Sequence, residues 1–273
     1  MLYPYGIMTS KIDTSIDAII LDMDGVLWRE NEPIGDLKTI FAEIERIGWR
    51  VLFATNNATR TPLQYIELLA SYSVLAETWQ IVTSAAAVIY NLNKLFPTGA
   101  QIYIIGEQGL VDACSEQGFY HSNTEAVAVV AGMDRQLTYE KLKIATLLLR
   151  KGLPFIGTNP DLTFPTPQGL VPGSGSILAA LTAASGVLPL IAGKPEATMY
   201  QIALDRLNVT ASHVLVVGDR PETDIAGAQI IGCHTALVLS GVTDESQAHA
   251  WQPAPDIITL DLESIVKMDW SKR

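Results

Sequence analysis

The sequence predicts an α/β fold, with a doubly wound and mostly parallel sheet into which a second, smaller α/β unit is inserted. Short apolar runs rich in branched residues alternate along the chain with stretches whose apolar residues recur at helical spacing. This alternation favours parallel strands joined by right-handed helical crossovers. The pattern restarts near Thr83 and returns near Leu188. We therefore predict a core domain of residues 1–82 and 188–273 and an inserted domain of residues 83–187.

The composition is that of a well-packed globular protein with room for two domains. The 273 residues are 48% hydrophobic and 17% charged. A net charge of −11 argues against binding to nucleic acid or to an anionic membrane surface, because both need a basic face. The sequence shows no membrane span and no leader pattern, so we expect a cytoplasmic protein. Cys114 and Cys233 are predicted to be buried, reduced and unreactive.

The first predicted strand ends in two carboxylates and a glycine. The apolar run 18–21 is followed by Asp22, Asp24 and Gly25. Side chains at i and i+2 of an extended chain point the same way, so the two acids can converge on one point. Two carboxylates at such a short distance need a proton or a cation between them. Because open parallel sheets bind ligands at the carboxyl ends of their strands, the stretch predicts a divalent metal site at that edge.

The remaining elements continue the alternation. Helices are predicted at 36–47, from about 61, and at 84–95, 139–150, 174–184 and 197–207, and strands at 50–54, 101–105, 126–130, 154–157, 213–217, 235–239 and 256–259. Gly48 stands where a left-handed residue would cap the first helix. Residues 1–17 are predicted to be a lead-in without a function.

Four polar clusters fall where predicted strands end. They are Asp22 with Asp24, Thr55 with Asn56, Gly193 with Lys194, and Asp219 with Asp224. Each cluster alone has an ordinary explanation, since acids and asparagines form caps and turns and lysines usually face solvent. Together they supply a carboxylate nucleophile, a second carboxyl for acid and base catalysis, oxygen ligands for magnesium and donors to phosphoryl oxygens. This combination predicts phosphoryl-transfer chemistry.

The four clusters resemble, in order, the four motifs of the haloacid dehalogenase superfamily. The stretches that carry the resemblance are 22–26 (DMDGV), 55–57 (TNN), 193–195 (GKP) and 218–224 (GDRPETD). The resemblance covers almost the whole chain, and the position of the insert is similar to that of a type C2 cap. Within the insert, the stretches 105–107 (IGE), 158–161 (TNPD) and 171–175 (VPGSG) are similar to the NagD and 4-nitrophenylphosphatase branch, subfamily IIA.

The resemblance implies a role for each acid of the site. Asp22 would be the nucleophile and a metal ligand. Asp24 would be the general acid and base, and its main-chain carbonyl would bind magnesium. Asp219 would complete the magnesium site. Asp224 would belong to the same metal site, where it would hold metal-bound water or orient Lys194.

The resemblance also implies a set of phosphate-binding groups. Thr55 and Asn56 would bind phosphate, and Lys194 would bind it and steady the nucleophile. Asn57 and the backbone at Gly25 belong to the same candidate set.

One stretch of the insert, around Asn159 and Asp161, leaves two interpretations open. These residues follow a predicted strand and are bracketed by prolines, which is typical of a rigid turn. The resemblance instead favours a cap loop that contacts the substrate. Such a loop would help to exclude water and to read the leaving group.

Two glycine-rich stretches do not fit nucleotide-binding motifs. Gly193-Lys194 is followed by proline and lacks the upstream glycine of a P-loop. The stretch 173–175 has Leu178 where a dinucleotide fingerprint needs a small residue, and no strand is predicted directly before it. We interpret it as the start of a tightly packed helix. The four histidines show no ligand spacing and are predicted to be structural.

The function that the resemblance implies is a magnesium-dependent phosphatase that hydrolyses small phosphomonoesters through an aspartyl-phosphate at Asp22. Sugar phosphates, nucleoside monophosphates, phosphoglycolate and 4-nitrophenyl phosphate are the candidate substrates. A phosphotransferase or mutase, and a non-catalytic regulatory protein that binds a phosphorylated metabolite, are the alternatives on the same fold. The expected partner is a small phosphorylated metabolite, with no nucleic acid and no membrane, and a homodimer is left open.

Overall fold

The structure is a computed structural model that describes residues 8–9, 12, 15–30, 32–166 and 168–270, so most of the predicted lead-in lies outside the described residues. The strands are β1 (Met8–Thr9), β2 (Ala18–Leu21), β3 (Trp28–Arg29), β4 (Glu32–Pro33), β5 (Arg50–Thr55), β6 (Ile81–Thr83), β7 (Gln101–Ile105), β8 (Tyr120–His121), β9 (Val129–Ala131), β10 (Phe155–Gly157), β11 (Thr163–Thr166), β12 (Gly169–Pro172), β13 (Leu190–Ile191), β14 (Val214–Gly218), β15 (His234–Val238) and β16 (Ile257–Thr259). The helices are α1 (Leu37–Ile47), α2 (Pro62–Ser71), α3 (Ser84–Leu95), α4 (Gln108–Glu116), α5 (Tyr139–Arg150), α6 (Ser174–Ser185), α7 (Ala197–Leu207), α8 (Ala226–Ile230), α9 (Glu245–Ala250) and α10 (Leu262–Val266).

The chain divides into two compact units. The first unit comprises Met1–Thr55, Ile66–Val82 and Tyr200–Arg273, and the second comprises Asn56–Tyr65 and Thr83–Met199. Most residues fall in the unit that matches their predicted domain. The segments 56–65 and 188–199 were predicted in the core domain but group with the inserted unit. Within that unit, Asn56 and Lys194 are hydrogen-bonded to each other. The domain division along the chain stays a prediction.

The first unit is built on a seven-stranded sheet in the order β1-β16-β15-β14-β2-β5-β6. Strands β16, β15, β14, β2 and β5 pair in parallel, and β1 pairs antiparallel with β16 at the edge. In the centre of the sheet, Ile20 lies between Val216 and Leu52. Strands β2 and β14 are buried along their whole length, which explains their continuous apolar sequences. The predicted parallel α/β fold is confirmed.

Helix α1 shows how local sequence sets an element's bounds. Asp36 caps its N-terminus, because the Asp36 carboxylate accepts hydrogen bonds from the backbone N–H of Thr39 at 3.4 Å and from its hydroxyl at 2.6 Å. Gly48 ends the helix at φ +90°, and its N–H donates to the carbonyls of Ile44 and Glu45. The predicted cap at Gly48 is therefore confirmed.

The second unit is an α/β unit with its own sheet and core. Its five strands lie in the order β13-β10-β9-β7-β8 and pair in parallel. Helices α5 and α6 contribute to a core cluster made of Tyr103, Ile105, Val129, Ala131, Ala145, Leu148, Leu149, Phe155, Ile177, Leu178 and Leu181. The unit also carries an antiparallel hairpin, β11–β12.

The hairpin corrects one expectation from the sequence. Strand β12 ends at Pro172, directly before Gly173, whereas no strand was predicted there. The strands of the hairpin contain prolines. Because proline is confined to edge strands, its presence in a run argues against predicting a strand there. β12 pairs only with β11 among the described strands, so it is not the parallel strand that a dinucleotide fingerprint needs. The exclusion of that motif is unaffected.

Across the part of the chain that the structure describes, none of the helices has the length and apolar character that crossing a membrane requires.

The two cysteines are buried, as predicted. Burial raises the pKa of each thiol, Cys114 and Cys233, to about 12. At pH 8, a thiol with that pKa is ionised in only about one molecule in ten thousand, and the thiolate is the reactive form. We expect neither cysteine to react with a thiol reagent at pH 8 in the folded protein, and both to react in guanidinium chloride. A prompt reaction of either thiol in the folded protein would contradict this assignment.

Candidate active site

Three buried carboxylates meet at the carboxyl edge of the first unit's sheet. Asp22 follows β2, Asp219 follows β14, and Asp224 lies on the π-helical turn Pro221–Ile225. One carboxylate oxygen of each residue lies within 4.8 Å of the others. Asp22 is 9% exposed, Asp219 2% and Asp224 1%. Neighbouring parallel strands end at the same edge, which is why residues almost 200 positions apart in the sequence come together.

Asp224 organises the chain that follows β14. Its Oδ2 accepts hydrogen bonds from the backbone N–H of Asp219 at 3.1 Å and of Arg220 at 3.0 Å. A Cβ on Gly218 would lie 2.2 Å from the Cβ of Asp224, so only glycine fits there. The hydroxyl of Tyr200 donates to the main-chain carbonyl of Asp224 at 2.9 Å. The carboxylate of Asp224 thus holds the turn that presents Asp219.

Asp219 lies in a slot between two glycines. A Cβ on Gly25 would be 2.4 Å from Oδ2 of Asp219, and a Cβ on Gly241 would be 1.9 Å from the same atom. The backbone N–H of Val242 donates to this oxygen at 2.8 Å. Gly25 also adopts φ +86°, a conformation that other residues rarely take. Gly25 therefore has two structural reasons to be glycine, and its phosphate contact stays a prediction.

The carboxylate of Asp24 is held by the indole of Trp28. Nε1 of the fully buried Trp28 donates to Oδ1 of Asp24 at 3.1 Å, and the N–H of Gly25 donates to the carbonyl of Trp28 at 2.7 Å. This local turn orients the carboxyl group of Asp24, because one of its oxygens accepts a hydrogen bond from the uncharged indole of Trp28. The metal role predicted for Asp24 concerns its main-chain carbonyl and stays a prediction.

The three clustered acids fit a magnesium ion. Three carboxylates buried within a few ångströms of one another repel unless cations or protons compensate them. Their donor atoms are all oxygens, which are the ligands that magnesium and calcium prefer. Zinc sites are instead built mainly from histidine nitrogen and cysteine sulfur. The backbone of two glycines lies close to the carboxylate of Asp219, and the N–H of Val242 orients it. Asp22, Asp219 and Asp224 are thus the residues that could hold the ion.

A second polar cluster lies in the second unit and has Asn56 at its centre. Oδ1 of Asn56 accepts from the backbone N–H of Lys194 at 2.8 Å, and its Nδ2 donates to the carbonyl of Lys194 at 3.1 Å. Nδ2 is also 3.2 Å from Oδ2 of Asp161. A Cβ on Gly193 would be 2.6 Å from Oδ1 of Asn56. The side chain of Asn56 thus binds the backbone of Lys194, and Lys194 itself is 2% exposed.

The main-chain carbonyl of Asn56 is bound by two further side chains. Nδ2 of Asn159 donates to it at 2.7 Å and the hydroxyl of Ser84 at 2.6 Å. Oδ1 of Asn159 accepts from the N–H of Asp161 at 3.1 Å, which is the hydrogen bond of a rigid Asx turn. The turn interpretation is therefore correct for this stretch. A substrate contact by Asn159 or Asp161 stays a prediction.

The chain around Asp161 and Leu162 closes the N-terminus of helix α6. The carbonyl of Asp161 accepts from the N–H of Gly175 at 2.8 Å, and the carbonyl of Leu162 accepts from the N–H of Gly173 at 2.9 Å. A Cβ on Gly175 would be 2.2 Å from the carbonyl oxygen of Pro160. The two glycines therefore allow tight packing, as predicted, and these N–H groups are already used within the fold.

Two residues of the predicted phosphate-binding set lie at and after the end of β5. Thr55 is the last residue of the strand and is 2% exposed. Oδ1 of Asn57 accepts from the N–H of Thr59 at 3.0 Å and from its hydroxyl at 2.7 Å. The side chain of Asn57 therefore forms a turn with the residues that follow it, which is the structural explanation that the sequence pattern allowed for asparagines at a strand end. The phosphate-binding roles of Thr55 and Asn57 stay predictions.

Sequence reasoning missed one polar group at a strand end. The four residues after β15 that surround Asp219 and the turn at Gly25 are Ser240, Gly241, Val242 and Thr243. The signal was available, since these residues follow a predicted strand in the way that the four motifs do.

Comparisons with known proteins agree with this architecture. A family model described as haloacid dehalogenase-like hydrolase matches residues 19–120, and one described as HAD-hydrolase-like matches residues 191–265. The 5′-nucleotidase YutF of Bacillus subtilis is 37% identical over 224 residues, which are 82% of this chain and 87% of that protein. The chain belongs to the haloacid dehalogenase-like hydrolase family.

Two solved structures extend the similarity to the fold. The glycerol phosphate phosphatase of Mycobacterium tuberculosis in complex with magnesium superposes with a TM-score of 0.88 and 32% identity, over 96% of this chain and 79% of that one. NagD of Escherichia coli K-12 superposes with a TM-score of 0.84 and 26% identity, over 94% of this chain and 100% of that one. Within its family, the chain is therefore NagD-like.

Proposed function

We propose that this phosphatase is magnesium-dependent and hydrolyses small phosphomonoesters through an aspartyl-phosphate at Asp22. The observation that carries the proposal is the group of three carboxylates, Asp22, Asp219 and Asp224, whose oxygens lie within 4.8 Å of one another. The solved relative from Mycobacterium tuberculosis, a glycerol phosphate phosphatase in complex with magnesium, supports it. When bound, magnesium would neutralise the charge of the acids and of the phosphoryl group.

In the first step, a carboxylate oxygen of Asp22 attacks phosphorus and the bond from phosphorus to the ester oxygen breaks. Asp24, in its protonated form, gives its proton to the leaving oxygen, so that an alcohol departs. The hydrogen bond from Trp28 to Oδ1 of Asp24 orients this carboxyl group.

In the second step, Asp24 takes a proton from a water molecule, and the water oxygen attacks phosphorus. The bond from phosphorus to Asp22 breaks, which releases phosphate and restores the carboxylate of Asp22. The same residue thus donates a proton in the first step and accepts one in the second.

We propose that Lys194 and Thr55 bind phosphoryl oxygens, as the family resemblance implies. The ammonium group of Lys194 would offset the charge that develops on these oxygens. For Asn56, the hydrogen bonds favour a supporting role through Lys194, since both of its side-chain polar atoms bind that residue's backbone.

The substrate class that we propose is a small phosphorylated metabolite. The relatives differ in the substrate that their names give: one is a 5′-nucleotidase and one a glycerol phosphate phosphatase. The family resemblance adds sugar phosphates, so the proposal covers sugar, glycerol and nucleoside monophosphates together.

The test is phosphate release from a panel of phosphomonoesters, with magnesium and with a chelator in its place. The panel contains a nucleoside monophosphate, a sugar phosphate, glycerol phosphate, phosphoglycolate and 4-nitrophenyl phosphate. We expect turnover that depends on magnesium and a rank order that identifies the substrate class. Equal turnover in the chelator, or transfer of phosphate to an added sugar in place of water, would contradict the proposal.

The substitution Asp24→Asn tests the proton-transfer role. An amide cannot donate a proton to the departing oxygen, so we expect a loss of about 10²- to 10⁴-fold in kcat on alkyl phosphates. The loss should be much smaller on 4-nitrophenyl phosphate, whose leaving group needs little protonation. The measurement is kcat for both esters, and equal losses on the two would argue against the acid role.

A further inference from the structure

We propose that the loop formed by Ser240, Gly241, Val242 and Thr243, which we name the 240–243 loop, is a positioning element that sets the protein's magnesium affinity through Asp219. The inference rests on the proposed function, in which Asp219 is a ligand of the ion. The loop follows β15, and its role is independent of any substrate contact.

The loop holds Asp219 at two atoms. The backbone N–H of Val242 donates to Oδ2 of Asp219 at 2.8 Å, and the hydroxyl of Thr243 donates to its main-chain carbonyl at 2.5 Å. One contact orients the carboxylate and the other orients the peptide that carries it. Asp219 is 2% exposed and Thr243 7%, so water competes little for either bond.

The loop also shapes the space around the carboxylate. The missing side chain of Gly241 is required, since a Cβ there would lie 1.9 Å from Oδ2 of Asp219 and 2.4 Å from its Cγ. Gly25 bounds the carboxylate too, and the distance from its ideal Cβ to the Cα of Gly241 is 3.0 Å. The carboxylate is therefore held between two stretches of backbone, which leaves it little rotational freedom.

The same loop binds the turn that carries Asp24. The hydroxyl of Ser240 donates to the carbonyl of Gly25 at 2.7 Å, and Nε of Arg29 donates to the carbonyl of Ser240 at 2.7 Å. The 240–243 loop thus connects the ends of β2, β14 and β15. A shift of the loop would move Asp219 relative to Asp22.

This arrangement predicts an effect on metal affinity and not on chemistry. A carboxylate that is already oriented loses less freedom when it binds an ion, and removing the groups that orient metal ligands typically costs 10- to 100-fold in affinity. The loop contributes no group to the proton transfers assigned to Asp24. Its loss should therefore weaken magnesium binding while the rate at saturating magnesium changes little.

The test uses the full chain with Thr243→Val, which has nearly the shape of threonine but no hydroxyl. We expect its magnesium dissociation constant, measured by isothermal titration calorimetry without substrate, to rise about tenfold. kcat at saturating magnesium should stay within about threefold of the wild-type value. Thr243→Ser, which restores the hydroxyl, should return the dissociation constant to within about threefold of the wild-type value.

A matched control separates metal affinity from stability. Thr235 lies on β15, the strand that precedes the 240–243 loop, and its hydroxyl is 3.2 Å from Oδ2 of Asp256. Thr235→Val also removes a buried hydroxyl, so it should lower the melting temperature without changing magnesium binding. The proposal is overturned if Thr243→Val is folded and binds magnesium as the wild type does, or if Thr243→Ser is as weak as Thr243→Val.

The outcomes distinguish this inference from the proposed function. If the wild type binds magnesium and hydrolyses phosphomonoesters, but Thr243→Val binds the ion equally well, only the inference fails. If the wild type binds no magnesium, the proposed function and the inference fail together.

Discussion

The substitution Asp22→Asn is expected to abolish phosphate release. The amide oxygen of asparagine is a poor nucleophile, so the aspartyl-phosphate cannot form, and the loss should reach about 10⁴-fold or more in kcat. Asparagine has nearly the shape of aspartate, so we expect the variant to remain folded and to unfold cooperatively on heating in chelator. The measurements are kcat on the best ester of the panel and thermal unfolding in chelator.

Asp36→Asn is the matched control for this prediction. Asp36 caps helix α1 at the surface, and asparagine is an equally good cap, so activity and stability should both be retained. Activity of Asp22→Asn above about a tenth of the wild-type value would contradict the assignment of the nucleophile, since removing a nucleophile costs far more. A large loss in Asp36→Asn would show that the effect is not specific.

The substitution Gly241→Ala is expected to have the second-largest effect. The added methyl group would be 1.9 Å from Oδ2 of Asp219 and 2.4 Å from its Cβ, so Asp219 or the 240–243 loop must move. Overpacking of this kind costs about 1–3 kcal/mol of stability. The displaced carboxylate would also weaken magnesium binding by about 100-fold, the upper end of the range for disturbed ligand positioning.

The neighbouring residue provides the control for Gly241→Ala. Val242 is 46% exposed, and its contact to Asp219 comes from the backbone N–H, which alanine retains. Val242→Ala should therefore leave stability within about 0.5 kcal/mol of the wild type and magnesium affinity unchanged. Wild-type magnesium affinity in Gly241→Ala, measured by calorimetry, would show that Asp219 does not sit in the slot described.

The sequence predicted the sheet of the first unit because its strands are short, apolar and separated by amphipathic helices. Strand β2 is an example, since its bounds are those of a short apolar run. Helix α1 is another, since Asp36 and Gly48 cap its two ends. The meeting of Asp22 with Asp219 also followed, because parallel strands end at one edge. These predictions need only the local pattern and the rule that places strand ends together.

Contacts between distant loops could not be predicted in the same way. Asn56 and Lys194 are 138 residues apart, and their paired hydrogen bonds depend on how two turns approach each other. Helix α4 was missed because buried positions in its nine residues are few, namely Gly109, Leu110 and Cys114. A short helix with so little apolar surface is stabilised by packing and not by its own sequence.

The most direct test of the central claim, the aspartyl-phosphate at Asp22, is the stereochemistry of hydrolysis at phosphorus. The experiment hydrolyses a thiophosphate monoester made chiral with ¹⁶O and ¹⁸O in water enriched in ¹⁷O, and determines the configuration of the released thiophosphate. Two successive in-line displacements, first by Asp22 and then by water, each invert phosphorus, so the account predicts overall retention. Overall inversion would mean that water attacks the ester directly, and would contradict the role of Asp22 as the nucleophile.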